Sequence, residues 1–188
     1  MRLNKVKLPN ITAYYKNSEY FVKTKSEEAK ILIKKGQISS IFYKTNLDKK
    51  FTKLSKKNFK IKIIGKENYK RKVIHFLYRK NKNFKLRLGI TYHLKLSSWS
   101  SLPHKFETNL EKGFEEFFFY LLKNSPNKAI QVGQGVWHNF KKVNKSWFVR
   151  DKTFSIIPMG YHPVVGLPNV KVSYIWAYIA KYDRWEKI

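Results

Sequence analysis

The chain has 188 residues, 43% of them hydrophobic, with 40 Lys/Arg against 12 Asp/Glu, a formal net charge of +28 and no cysteine. That length allows one sizeable core and two domains at most, and the lack of cysteine excludes a disulfide framework, a thiol nucleophile and a thiolate metal site. No apolar block near the start resembles a signal segment and no apolar run reaches about 18 residues, so the sequence predicts a soluble, cytoplasmic protein without membrane attachment.

Residues 1–58 carry few strand-like bursts and read as a short N-terminal extension. Their one element is predicted to be a helix in S-E-E-A-K-I-L-I-K-K-G, with Ser26 capping its start, Glu27 and Glu28 in the first turn and Gly36 closing it. From residue 59 onward the pattern changes to period two, the mark of strands. The bursts are Ile61–Ile64, Lys72–Tyr78, Phe84–Leu96, Glu116–Leu122, Lys128–Val132, Ser146–Val149, Thr153–Ile157 and Val170–Ile179. Turn residues separate them at N-S-P-N, R-D-K, P-M-G and G-L-P-N. Short, evenly spaced, aromatic-rich and β-branched strands predict an all-β sandwich or barrel over residues 59–188.

The charge is uneven, with 27 Lys/Arg against 5 Asp/Glu in residues 1–100 and 13 against 7 thereafter. Two readings stay open. The 34 Lys and 6 Arg sit among many Ile, Asn, Phe and Tyr, which fits compositional drift with solvated lysine faces. The alternative is a nucleic-acid partner, held by lysines with Tyr and Phe interleaved for base stacking.

In a small barrel, alternate side chains from each strand point inward and converge. Without cysteine, a metal there needs imidazole and carboxylate, and His104, Glu116 and His162 come from separate strand segments. Spacing alone is a weak signal, because two histidines and a glutamate scattered over such a span more often serve as core or surface groups.

The pieces W-S-S-L-P-H-K at Trp99–Lys105, E-E-F-F-F-Y at Glu115–Tyr120, P-M-G-Y-H-P-V at Pro158–Val164 and S-Y-I-W at Ser173–Trp176 together resemble a known family. It is the family of cupin-type sugar-acid isomerases that contains 5-deoxyglucuronate isomerase and 5-keto-4-deoxyuronate isomerase. The resemblance covers residues 60–188 and leaves the first 58 uncovered. It implies a cupin double-stranded β-helix, a jelly-roll-like barrel, and makes residues 1–58 the remnant of a second cupin barrel. It also implies a divalent metal, zinc, on His104, Glu116 and His162. Phe106 stands where the family has a further histidine, so a ligand is missing, with His138 or Glu107 as its substitute.

The implied reaction is aldose–ketose isomerisation of a sugar acid such as 5-deoxyglucuronate, with Glu116 and Tyr161 as candidates for moving the proton. Lys105 or Arg150 would meet the substrate carboxylate, and Tyr174 and Trp176 would line its pocket. A homo-oligomer is implied as well. A degenerate cupin that binds a sugar acid without catalysis is the alternative.

Overall fold

Period-two alternation runs through nearly the whole chain, and it folds into three antiparallel sheets. The computed structural model describes residues 4–78, 85–100 and 114–179. The first sheet is an up-and-down meander of β1 (Asn4–Lys7), β2 (Thr12–Lys16), β3 (Glu19–Lys23), β4 (Glu27–Lys34), β5 (Gln37–Thr45) and β6 (Thr52–Lys53). The second contains β7 (Lys60–Ile64), β8 (Arg71–Leu77), β9 (Leu86–His93), β10 (Glu115–Lys123), β13 (Phe154–Ile157) and β16 (Lys171–Ile179), in the order β13-β10-β16-β9-β8-β7. The third holds β11 (Lys128–Val136), β12 (Lys142–Arg150), β14 (Met159–Tyr161) and β15 (Val164–Gly166), with β12, β14 and β15 all paired to β11. The expected all-β class holds, although the sheets do not close into one hydrogen-bonded barrel.

The predicted helix at residues 26–36 is instead β4, a tight turn and the start of β5. Ala29, Ile31 and Ile33 alternate with Glu28, Lys30 and Leu32, the first set buried and the second half-exposed, which is strand periodicity. Lys35 and Gly36 both have positive φ, 49° and 67°, the geometry of a two-residue type I′ hairpin rather than a helix C-cap. Ser26 caps nothing: the amides of Ser26 and Glu27 donate to the Thr24 hydroxyl, forming a local turn before the strand.

The second sheet is covered on both faces, so its central strands are buried along almost their whole length. One face packs Phe117, Phe119, Leu121, Leu88, Ile90 and Ile175 against Tyr20, Ala29, Ile31 and Ile41 of the first sheet. The other packs Phe118, Tyr120, Leu122, Tyr174 and Trp176 against Ala129, Val149 and Val164 of the third. The second and third sheets thus pack around one core, and the first sheet is a layer laid on the other face of the second.

Two buried carboxylates fasten that layer. Glu27 accepts from the Tyr43 hydroxyl (3.0 Å) and from the amides of Lys85 (3.2 Å) and Leu86 (2.9 Å) at the start of β9. Glu115, at the start of β10, accepts from the backbone and side-chain amides of Asn10 in the β1–β2 turn. Each charge is matched by donors on the opposite sheet, and breaking such a pairing in a buried site is costly.

Candidate active site

Glu116 and Phe118 lie on the face of β10 that looks toward the third sheet, because Phe117 and Phe119 between them enter the other core. His162 follows β14, where Gly160 makes a close approach to β11. The φ of Gly160 is +119°, and a side chain there would collide with the Gln134 carbonyl oxygen, so only glycine fits. That approach places the His162 imidazole 4.0 Å from the Glu116 carboxyl, Nε2 to Oε2, with both side chains buried.

The pair is electrostatically poised. The Nδ1–H of His162 donates to the Gly160 carbonyl oxygen at 2.7 Å, which fixes the tautomer and turns Nε2 toward Glu116. Burial holds the imidazole down at about 4 and pushes the Glu116 carboxyl up to about 8. At neutral pH the pair therefore consists of a neutral histidine and a carboxyl that keeps its proton unless a cation joins it. A buried imidazole nitrogen and carboxylate converging from two sheets are a donor set suited to zinc.

A polar relay holds the His162 loop. Tyr120 donates to Gln131 Oε1 (2.8 Å), and nearby Trp147 Nε1 donates to Ser155 Oγ (2.6 Å). Gln131 Nε2 in turn donates to the carbonyls of His162 (2.8 Å) and Pro163 (3.1 Å). On the other side, Ser100 fastens to Val164 through its amide and hydroxyl, so the segment leading toward His104 leaves the described chain beside this loop.

The remaining predicted residues divide. Tyr174 and Trp176 are buried on the same inner face, Tyr174 stacked on Phe118 at 4.3 Å, and Phe118 lies edge-on to His162. Tyr161 is half-buried on β14, opposite Gln134 of β11. Arg150 is exposed at the end of β12, paired with Lys128, at the other end of β11 from Gln134, and does not converge on the pair. His104, Lys105, Phe106 and Glu107 lie outside the described residues. His138, the other substitute ligand, sits in the turn after β11, and among the described residues no three His, Asp or Glu side chains gather into a metal-sized group.

Sequence reasoning passed over Arg87 and Gln131. Arg87 is 4% exposed, and in the pairing register it follows Glu116 and Tyr178 across β10, β16 and β9. Its neighbours Leu86 and Leu88 face the first sheet, so Arg87 faces the interior. In L-R-L-G-I-T-Y-H the alternation shows that Arg87 opposes the leucines, but an arginine in that position normally reads as solvent-facing.

Comparisons with known proteins bear on the fold and the family. An IolB-like protein of Salmonella typhimurium is similar in structure over 95% of this chain, with a TM-score of 0.61 and 16% identity. The match takes in 65% of that protein, so the chain spans about two thirds of its length. A cupin 2 conserved barrel domain protein of Rhodopseudomonas palustris (TM-score 0.43, 8% identity, 68% of this chain and 75% of that one) is also similar. So is a predicted oxalate decarboxylase of Thermotoga maritima (0.38, 17%, 67% and 96%). No curated protein matches at a significant level. The KduI/IolB family model matches residues 11–188, which extends the likeness through the N-terminal sheet that sequence reading left uncovered. With nearly its whole length matched, the chain belongs to the KduI/IolB family.

Proposed function

We propose that the protein is a metal-dependent sugar-acid isomerase working at the Glu116–His162 pair, on a substrate such as 5-deoxyglucuronate. The observation that carries this reading is the approach of those two buried groups to 4.0 Å between the second and third sheets. Their donor types fit zinc, with His104 as the third ligand on the sequence pattern. The ion would supply a Lewis acid for the adjacent carbonyl and hydroxyl oxygens of the sugar.

The chain's own groups supply the rest. Arg87, a buried guanidinium in the same row as Glu116, is better placed for the substrate carboxylate than exposed Arg150. Tyr174, Trp176 and Phe118 wall off water. Isomerisation moves one proton between neighbouring carbons, a step open to the Glu116 carboxyl where the ion does not hold it as a ligand. We favour Glu116 over Tyr161 for this step because Glu116 is buried beside His162, whereas Tyr161 is only half-buried at the end of β14. The lysine excess adds no partner to this reading. On the outer face of the first sheet Lys23, Lys30 and Lys44 pair with Glu19 and Glu28 and lie among Phe21, Phe42 and Phe51.

Metal content and isomerase turnover of the purified protein test the reading together. Wild type should carry one divalent ion per chain and convert 5-deoxyglucuronate. H162Q should lose the ion and at least about 100-fold in turnover, while R87M should raise KM far more than it lowers kcat. If E116Q keeps the ion but not turnover, Glu116 carries the proton; if both go, it is a ligand. A metal-free wild type without turnover would leave a non-catalytic cupin.

A further inference from the structure

Beyond the Glu116–His162 pair, the edge strands of all three sheets, β1, β12 and β13, meet around a groove of about 370 Å³. Trp137 and Trp147 form one wall, their rings 6.1 Å apart and tilted by 47°. Phe154 lies on the opposite strand, with Ser155 beside it and Lys5 at the rim. Lys145 holds its ammonium over both indoles, 5.5 Å from Trp137 and 5.6 Å from Trp147. Among the described residues no carboxylate pairs with Lys145, and no acidic side chain lines the groove.

We propose that this groove is a second binding site, one that takes a carboxylated sugar ring. The ligand class follows from the lining. Indole faces bind the flat C–H face of a pyranose, a hydroxyl such as that of Ser155 pairs with ring hydroxyls, and an ammonium fixed over the rings awaits an anion. The volume falls within the roughly 300–1,000 Å³ usual for small-molecule sites. A neutral sugar would leave Lys145 unmatched, and a small anion would leave the indoles bare.

Gly133 shows that the wall is built to position. A side chain at that residue would press on Trp147 and Pro158 at 3.0 Å. Trp147 Nε1 also donates to Ser155 Oγ at 2.6 Å, which holds the indole in the wall. The assignment rests on the groove's own chemistry and stands whether or not the isomerase reading does.

The test is titration of the full chain with D-glucuronate, followed by the NMR signals of the indole N–H groups, with D-glucose and acetate as comparators. Trp137 and Trp147 signals, identified through W137F and W147F, should shift saturably with glucuronate and far less with either comparator. K145Q should weaken glucuronate binding by at least about fivefold while leaving the rest of the spectrum in place. E116Q should bind at the groove as wild type does, which separates this site from the reaction centre. Absence of a saturable shift, equal responses to glucose, or a K145Q titration identical to wild type would overturn the proposal.

Discussion

At the scale of residues, the buried titratable groups set opposing pH dependences. His75, His93 and His162 are each held by burial at about 4, below the usual 6.5. The unfolded chain therefore takes up protons that the native one refuses, and stability falls as pH drops from 6.5 toward 4. Glu116 works in the other direction. Its folded carboxyl keeps the proton up to about 8 against a usual 4.5, so stability falls as pH rises across that window. Three histidines outweigh one carboxyl on the acid side, and above pH 6.5 only Glu116 of these four still titrates. Urea midpoints of chelator-treated protein should peak near pH 6.5 and decline toward pH 8, by at most about 1.4 kcal/mol per pH unit. E116Q should lack the declining limb; if it keeps the limb, the burial of Glu116 is not its cause. Glu116 and His162 were legible as candidates because their residue types and order matched a pattern. Gln131 was not, because Ile130 and Val132 beside it are the apolar pair, and alternation read alone turns those two inward and the glutamine out.

Among the elements, the strands from β7 onward that show a long apolar alternation were readable, whereas β14 and β15, of three residues each, carry too little pattern. The β4–β5 hairpin was misread because Ser, two Glu and a Gly at those spacings satisfy the rules for helix ends and also suit a strand with a two-residue turn. Pairing with β3 decides between them. Strand contacts also explain Gly89, which lies between His75 and Trp176 in the register. A side chain at this residue would strike the Trp176 indole and the Ile74 carbonyl oxygen. G89A should therefore lower stability by about 3 kcal/mol, near the upper end for overpacking, and change the near-UV circular dichroism as Trp176 leaves its place. An unchanged spectrum with wild-type stability would show that the indole moves aside freely.

For the molecule as a whole, the N-terminal sheet completes the largest core cluster among the described residues. Phe117, Phe119, Leu88, Ile90 and Ile175 are covered only because the first sheet lies against them. Removing residues 1–58 should expose that face and leave residues 59–188 insoluble or molten, although the fragment keeps both Glu116 and His162. Soluble fragment with a sharp thermal transition would instead mark 59–188 as an independent domain. The high charge is compatible with this architecture because the lysines of the first sheet sit on its outer face, several of them neutralised there by Glu19 and Glu28.

By itself the sequence determined the all-β class, the run of strands after residue 59, and the family, since alternation, turn residues and short motifs are local and survive in one dimension. The tertiary structure alone decided that residues 4–53 form a third layer, that Arg87 turns inward, and that Glu116 meets His162 while Arg150 does not. Alternation tells which side chains share a face, whereas only the stacking of sheets tells which face meets water. The pair with which the site begins, Glu116 and His162, depends on a close approach at Gly160 that no local pattern encodes.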